Sequence, residues 1–224
     1  MFTQQNPSPI YQELLSSYKS MHANGYTRQV NGQAVTVKPE AAFPGDQLPK
    51  YLVPIKEMIS ATGAQTIMDY GCGKGQQYEM GPLQDQNGRF MAKNVQDFWG
   101  VSEIRRYDPG VPAFDTYPTE QFDGVISTDV LEHIPRQDVF WVIEEMVAKA
   151  TKFVFANIAC YPALALLPNG LNAHVTVEHP RWWAGLFEAA ARHKGDLKIK
   201  LVCVGDAINA DGSPTRAPVT LNLQ

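Results

Sequence analysis

The chain has 224 residues, 44% of them hydrophobic, so it is long enough to bury a sizeable core as one globular unit with elaborations. Its 19 basic and 23 acidic residues give a formal net charge of -4, and neither sign forms a long run. This balance gives a nucleic-acid partner no electrostatic support, although it does not exclude one.

The N-terminal region predicts a helix followed by a hairpin. Ser8 and Pro9 are typical of a helix start, apolar residues then recur at helical spacing, and Gly25 can end the helix. Asn31 and Gly32 stand between two extended runs, which is a strong signal for a tight hairpin turn. We expect these two elements to cap the rest of the chain.

The segments that follow alternate between helical and extended patterns. A helix is predicted over Leu48–Ile59, kinked or delayed by Pro54, and further helices over residues 139–150 and 182–190. The predicted strands are TIMDY, EIRRYD, FDGVIS, KFVFANI, LKIKLVCVG and APVTLNLQ in chain order. Such alternation is typical of a parallel sheet covered by helices, and an Asp-Gly turn before the last strand indicates an antiparallel hairpin.

Together these patterns predict an α/β fold in a single globular unit. Residues 1–47 form the N-terminal cap in this prediction, and residues 48–224 form a doubly wound, mostly parallel sheet that ends in the antiparallel hairpin. The sequence shows neither a signal-peptide pattern nor an apolar stretch long enough to cross a bilayer, and its three cysteines are too scattered for a disulfide framework. We therefore expect a cytoplasmic protein without membrane contact.

The stretch IMDYGCGKGQQ, residues 67–77, has three glycines within five residues directly after a predicted strand. A triphosphate-binding loop is excluded because Lys74 is followed by glycine rather than by Ser or Thr. A dinucleotide-binding loop is disfavoured because its third glycine would fall at Gln76. What remains is an acidic residue, Asp69, followed by glycines at 71 and 73, a pattern in which the carboxylate accepts hydrogen bonds from a cationic ligand that lies against backbone amides.

Three motifs in this order resemble those of class I S-adenosylmethionine-dependent methyltransferases. They are MDYGCGKG, the YDPG of residues 107–110 and the FDGVISTDVLEHIP of residues 122–135, and the resemblance covers roughly residues 48–160. It implies a Rossmann-like domain with a sheet of the seven-strand type. It further implies S-adenosylmethionine as the cofactor and transfer of its methyl group to an oxygen or nitrogen atom of an acceptor.

The resemblance also implies roles for individual residues. Asp69 and the Gly71–Gly73 backbone would hold the methionine portion, and Asp108 would accept the ribose hydroxyls, as a carboxylate with two acceptor oxygens can. Asp115 resembles the residue that recognises the adenine amino group, with a turn-forming role as the alternative. The residues expected to bind the cofactor are Asp69, Tyr70, Gly71, Cys72, Gly73, Asp108, Pro109, Asp115, Ser127, Thr128, Asp129 and Val130.

Two spacings depart from the family pattern. The distance from Asp69 to Asp108 is about twice the roughly 20 residues expected between a glycine turn and the ribose-binding acid. The segment GPLQDQNGRFMAKNVQDFWG, residues 81–100, therefore looks inserted, and we predict that it is a long loop capping the cofactor. Conversely, too few residues lie between Asp108 and Phe122 for a complete helix, strand and second helix, so the third strand is expected to be vestigial.

Catalysis is assigned to residues after the fourth strand motif and in the following loop. His174 is the preferred general base, with His133 and Asp129 as further catalytic candidates. In the alternative, Glu132 and His133 fix the turn and Asp129 caps it. The Asp-x-x-Glu-His spacing also resembles the divalent-metal motif of terminal 2′-O-methyltransferases and ubiquinone-pathway O-methyltransferases, which would make Asp129, Glu132, His133 and His174 metal ligands. We favour the hypothesis without a metal.

The sequence leaves the acceptor open. We favour a small molecule or a glycan-type metabolite, since neither a basic groove nor an accessory domain is recognisable. Two alternatives to this enzyme are a catalytically silent protein that binds the cofactor and serves as a partner subunit, and a metal-assisted 2′-O-type methyltransferase. A nicotinamide-dependent oxidoreductase is disfavoured by the missing third glycine, and no oligomeric state is predicted.

Overall fold

The structure, a computed structural model, describes residues 2–30 and 33–223. The predicted turn residues Asn31 and Gly32 lie outside this range. Within the range, no helix combines the length and the apolar character needed to cross a membrane.

The N-terminal cap contains the predicted helix and ribbon. Helix α1 (Pro9–Asn24) begins after Ser8, whose side chain caps it, and ends at Gly25 with φ of 75°. Strands β1 (Tyr26–Val30) and β2 (Gln33–Val37) pair antiparallel, as the sequence predicted. A short 3₁₀ turn then leads into the main body of the chain.

The main body alternates helices and strands. The further helices are α2 (Leu52–Thr62), α3 (Gln76–Glu79), α4 (Val95–Trp99), α5 (Val139–Lys149) and α6 (Pro180–Ala191). The further strands are β3 (Thr66–Tyr70), β4 (Leu83–Gln84), β5 (Phe90–Ala92), β6 (Glu103–Tyr107), β7 (Phe122–Thr128), β8 (Ala150–Cys160), β9 (Lys198–Ile208) and β10 (Pro214–Leu223). Pro54 falls in the first turn of α2, where its missing N–H costs nothing, so the helix starts late rather than kinking.

Six strands form the central sheet in the order β6-β3-β7-β8-β9-β10. All neighbours are parallel except β9 and β10, which form the predicted antiparallel pair at the C-terminus. The α/β, mostly parallel sheet is thus confirmed. No strand forms between residues 108 and 121, all of which are described, in agreement with the expected loss of the third strand.

Helices cover both faces of this sheet because its inner strands are apolar on both sides. On one face α5 and α6 pack against the sheet in a core that contains Trp183 and Phe187. On the other face α2 and α4 pack around Phe153 and Phe155. This arrangement leaves the ends of the strands uncovered by the helices.

The segment predicted as a loop over the cofactor has a different role. It forms the small antiparallel pair β4–β5 and then α4, whose N-terminus is capped by the Asn94 side chain. Val95, Phe98 and Trp99 of α4 are buried against α2. The prediction of a capping loop is therefore wrong, because this segment carries an amphipathic helix that belongs to the core.

A buried polar contact fastens the cap to the main body. The Ser8 backbone N–H and hydroxyl both donate to the Asp138 carboxylate, at 3.0 and 2.5 Å, and the Trp141 indole N–H donates to the same group at 2.9 Å. Ser8 and Asp138 are fully buried. The start of α1 is thereby joined to the start of α5.

Strand β3 is the point in the sheet where the strand order reverses. The next strand of this sheet along the chain, β6, lies on one side of β3, and β7 lies on the other side. In open α/β sheets, ligands bind at the carboxyl ends of the strands at such a switch point. The register places Tyr70 opposite Tyr107 and Asp69 opposite Ile126, so the turns after β3, β6 and β7 meet at one edge.

Candidate functional site

A cavity of about 860 Å³ opens at the switch point. Its floor consists of the turns after β3, β6 and β7, and its walls include α1, the β1–β2 hairpin and the loop after β8. This volume lies in the range typical of small-molecule sites. The predicted cofactor residues that line it are Tyr70, Gly71, Gly73, Asp108, Pro109, Thr128, Asp129 and Val130, whereas Asp69, Cys72, Asp115 and Ser127 do not.

The glycines of the turn after β3 are required by the protein's own geometry. Gly71, Gly73 and Gly75 all have positive φ, at 82°, 57° and 65°. A Cβ on Gly73 would lie 2.6 Å from the carbonyl oxygen of Phe43, and one on Gly75 would lie 2.9 Å from the Arg106 side chain. The bare backbone therefore accommodates other parts of the chain, and a ligand is not needed to explain it.

The amide groups of this glycine turn, residues 71–75, are already used. Gly71 and Cys72 donate to the Tyr107 carbonyl, at 2.7 and 3.1 Å, and Gly75 donates to the Cys72 carbonyl at 3.1 Å. The N–H of residue 73 donates to the Asp108 carboxylate at 2.9 Å, and that of residue 74 donates to the carbonyl of residue 43 at 3.2 Å. A ligand that lies against this turn would therefore contact its backbone without displacing these hydrogen bonds, and the expected contact stays a prediction.

Asp108, directly after β6, is an acidic residue in the floor of the cavity. Its two oxygens accept the N–H groups of Gly73 at 2.9 Å and Gly110 at 2.8 Å, which fixes the plane of the carboxylate. Burial raises the pKa of Asp108, and these two backbone hydrogen bonds oppose the rise. A carboxylate has about four acceptor positions, so each oxygen can take one more donor from a ligand.

Asp69 lies beneath the cavity rather than in its wall. It is 1% exposed, and its Oδ2 accepts the Tyr78 hydroxyl at 2.7 Å, while Oδ1 finds no partner in the described part of the chain. Burial raises the pKa of Asp69 to about 7. Asp69 does not line the cavity, and its expected contact with the methionine portion of the cofactor stays a prediction.

The turn after β7, residues 129–133, carries two neighbouring carboxyl groups. Asp129 lines the cavity with φ of 61°, a left-handed conformation that few residues other than glycine adopt. Glu132 is fully buried; its Oε1 accepts the Ala159 N–H at 2.6 Å, whereas Oε2 has no partner among residues 2–30 and 33–223. Burial and the nearby Asp129 charge raise the pKa of Glu132 well above its usual range.

His174 faces these carboxyl groups from the loop after β8. Its Nδ1 lies 2.5 Å from the carbonyl oxygen of Tyr161, which can only accept a hydrogen bond. Nδ1 therefore carries the proton in the neutral ring, and Nε2 keeps a free lone pair. Asp129, Glu132 and His174 each offer a ligand atom, and the three atoms lie within 4.8 Å of one another.

His133 lines the cavity but is not a member of this cluster. Its Nδ1 lies 2.8 Å from both the Tyr18 hydroxyl and the Ala173 carbonyl. Burial lowers the pKa of His133 to about 4, with the neighbouring His174 contributing to the fall. The His133 ring packs 4.9 Å from the His174 ring, but its Nδ1 is engaged by the cap and the loop, so His133 is a neighbour of the predicted metal set and not one of its converging ligands.

Several residues of the cavity had no signal in the sequence. Phe43 has φ of 49° and stacks with Tyr26 at 5.1 Å between ring centroids, and its carbonyl docks on the glycine turn. Arg216, on β10, has its guanidinium carbon 3.5 Å from the centroid of the Tyr161 ring. These residues approach the site from distant parts of the chain, so local patterns could not reveal them.

No protein-family model matches the sequence, and no curated protein is similar to it in sequence. One solved structure, described as "DhpI-SAH complex structure", is similar to the chain with 13% sequence identity and a TM-score of 0.33. The similarity covers 94% of this chain and 79% of that one. A TM-score this low does not establish a common function or a common ligand.

Proposed function

We propose that the chain is an S-adenosylmethionine-dependent methyltransferase that acts on an oxygen or nitrogen atom of a small-molecule or glycan-type acceptor. The observation that carries the proposal is Asp108, a fixed carboxylate at the switch-point cavity with acceptor capacity left for a vicinal diol. The three sequence motifs lie at the ends of β3, β6 and β7, where such a cofactor would bind. The reducing cytoplasm remains a prediction, and the three cysteines are free thiols.

The chemistry of the cavity edge favours a cationic ligand over a phosphorylated one. A pyrophosphate needs free N–H donors at a glycine turn and the start of a helix. Here the N–H groups of residues 71–75 are bonded within the protein, and the helix that follows, α3, has four residues. The carboxyl groups of Asp108 and Asp129 suit a sulfonium and its ribose better than they suit a phosphate.

His174 is the residue that we assign to proton removal from the acceptor. Its Nδ1 is bonded to the Tyr161 carbonyl, which leaves the Nε2 lone pair for the acceptor, and an imidazole nitrogen lies within 4.8 Å of an Asp129 carboxylate oxygen. Methyl transfer is an in-line displacement, so the protein needs to orient the acceptor and take its proton. We expect His174→Ala to reduce turnover much more than cofactor affinity, and equal losses in both would contradict the assignment.

Titration calorimetry of S-adenosylhomocysteine tests the proposal directly. The wild-type protein should bind it, and Asp108→Ala should weaken binding by about tenfold or more because two hydrogen bonds to a charged group are lost. Asp108→Asn and circular dichroism show whether a loss reflects the site or the stability of the glycine turn. Absence of binding by the wild-type protein, or competition by NADH, would overturn the proposal.

The cluster of Asp129, Glu132 and His174 favours a second candidate, a metal-assisted 2′-O-type methyltransferase. Ligand atoms on opposite sides of Mg²⁺, at about 2.1 Å each, lie about 4.2 Å apart, and the three atoms here lie within 4.8 Å of one another, so an ion would draw them slightly closer. The unpartnered Oε2 of Glu132 and the free Nε2 of His174 are suitable donors. A bound cation would lower the pKa of an acceptor hydroxyl, and these three residues would hold it.

Metal binding can be measured without an activity assay. Magnesium, manganese or zinc should raise the melting temperature of the wild-type protein and give a calorimetric isotherm. Glu132→Gln should abolish both effects, whereas His133→Gln should keep them because His133 lies outside the cluster. If none of the three metals binds, or if the two variants behave alike, this second candidate fails and the metal-free enzyme remains.

A further inference from the structure

The charges that line the main cavity are mostly acidic near the sheet and mostly basic at the rim. Asp108 and Asp129 follow β6 and β7 and are partly buried. The exposed charged residues of the lining are Arg28, Lys38, Asp46 and Arg216. A ligand that fills the cavity therefore meets carboxylates near the sheet and an excess of basic groups at the rim.

Arg216 has a defined position and few competing partners. Its guanidinium lies over the Tyr161 ring at 3.5 Å, which holds it at the wall of the cavity. The nearest carboxylate, that of Asp206 on the opposite strand, is 3.8 Å away, and the two side chains are 44% and 78% exposed. Such an exposed pair is weak and uses few of the five N–H donors of the guanidinium.

Tyr161 connects Arg216 with the catalytic candidate. Its backbone carbonyl accepts the Nδ1–H of His174, and the centroids of the Tyr161 and His174 rings are 5.6 Å apart. An acceptor whose nucleophilic atom meets Nε2 of His174 and whose body lies along Tyr161 therefore extends toward Arg216. The outer end of such an acceptor would face the guanidinium.

The ribose site and Arg216 lie far apart in the cavity. Asp108 follows β6, which is three strands from β8, so the ends of these strands are about 14 Å apart. Tyr161 and the Arg216 guanidinium lie at the β8 side of this edge. A ribose held by Asp108 therefore does not reach Arg216, and the cofactor-binding measurement below decides whether the cofactor's carboxylate does.

We propose that Arg216 recognises an anionic group, a carboxylate or a phosphate, on the methyl acceptor. The inference rests on the proposed methyltransferase function and narrows its substrate to hydroxylated small molecules that carry such a group. The guanidinium is planar and binds both groups through paired hydrogen bonds, and the aromatic ring beneath keeps it oriented. Arg216 is in this proposal a specificity-determining residue that touches the acceptor and not the cofactor.

The test uses radiolabelled S-adenosylmethionine and matched pairs of acceptors. The pairs are 3,4-dihydroxybenzoate with 3,4-dihydroxybenzyl alcohol, glucuronate with glucose, and glycerol 3-phosphate with glycerol. In at least one pair the anionic member should have a kcat/KM about tenfold or more above its neutral partner, the usual strength of a charge-assisted contact. Arg216→Gln should remove that preference through KM and leave S-adenosylhomocysteine binding unchanged.

Two further variants complete the experiment. Arg216→Lys keeps the charge and should retain part of the preference. Arg105→Gln removes an exposed arginine on β6 that pairs with Glu120 at 3.2 Å outside the cavity, and it should behave as wild type.

The outcomes separate the two proposals. Equal use of neutral and anionic acceptors, a preference that survives Arg216→Gln, or methylation of no anionic compound by a protein that binds S-adenosylhomocysteine would each overturn the role of Arg216. Weaker cofactor binding by Arg216→Gln would assign the guanidinium to the cofactor and would also overturn it. Failure of the wild-type protein to bind S-adenosylhomocysteine would instead overturn the methyltransferase function itself.

Discussion

The glycine turn and the turn after β7 lie at the same sheet edge but differ in how far the protein satisfies their polar groups. In the glycine turn the N–H groups of residues 71–75 donate within the chain, and Asp108 receives two of the surrounding N–H groups. In the turn after β7, Glu132 has an oxygen without a partner among the described residues. Within the described part of the chain, the backbone of the first turn is satisfied by the protein and provides shape, with one unpartnered oxygen only on Asp69 before it, whereas the second turn itself carries an unpartnered buried carboxyl oxygen.

The largest expected effect tests whether the glycine turn is completed by the protein. Gly73→Ala should lower the free energy of unfolding by about 3 kcal/mol, because φ is positive and the new Cβ would displace the Phe43 carbonyl. Gly63→Ala is the matched control, since φ is 61° there and no atom lies within 4 Å of the position that its Cβ would take. It should cost about 1 kcal/mol. Urea denaturation measures both values. Equal losses of unfolding free energy in the two variants would show that the Phe43 carbonyl moves away from the new Cβ at little cost.

The next prediction concerns the unsatisfied carboxyl group of the second turn. Burial and the Asp129 charge raise the pKa of Glu132 in the folded state, so its contribution to stability is complete at low pH and is lost as pH rises toward that pKa. Glu132→Gln cannot ionise, so its stability relative to wild type should rise by about 1.4 kcal/mol per pH unit as the pH increases from the ordinary glutamate pKa toward the raised pKa. Urea denaturation at several pH values measures this, with the exposed Glu103→Gln as control. A difference that does not change with pH would contradict it.

A smaller effect is expected beneath the glycine turn. Tyr78→Phe removes the hydroxyl that donates to Asp69, and the loss should be about 1.5 kcal/mol at pH 8. Because burial raises the pKa of Asp69 to about 7, the carboxyl group is mostly protonated at pH 5, and the loss should be smaller there. Thermal or urea denaturation at both pH values checks the difference. Equal losses would mean that Asp69 has the same charge at both.

The smallest expected effect tests whether the cofactor site extends to Asp115. Asp115 is exposed and lies outside the cavity, so Asp115→Ala should change the free energy of unfolding by less than about 0.5 kcal/mol. S-adenosylhomocysteine affinity, measured by calorimetry, should change by no more than about twofold. A loss of affinity similar to that of Asp108→Ala would instead support adenine recognition by Asp115.

The fold was predictable where the pattern is local. The strands that became β3, β7 and β8 are short apolar runs bounded by polar turns, and the α1 start at Ser8 and Pro9 follows from capping chemistry. The helix α4 was missed although Asn94, whose side chain accepts the Asp97 N–H at 2.9 Å, precedes three apolar residues at helical spacing. The segment was instead interpreted as an inserted loop because it lengthens the spacing between Asp69 and Asp108 beyond the family pattern.

The candidate site was only partly predictable, because its remaining features depend on distant contacts. Asp108 and His174 were found as polar residues after strand motifs, and both line the cavity. The orphaned oxygen of Glu132 follows from how tightly the chain packs around it, and the docking of Phe43 on the glycine turn joins residues from different parts of the sequence. Neither leaves a trace in the local pattern.

The buried tie between Ser8 and Asp138 holds the start of α1 against the main body. Two hydrogen bonds to a carboxylate that also binds the Trp141 indole would have to break before that end of the cap could lift. The hairpin beyond the other end of α1 is held as well, since Arg28 of β1 forms an isolated β-bridge with Ala165 in the loop after β8. The cap is thus anchored on both sides of the cavity.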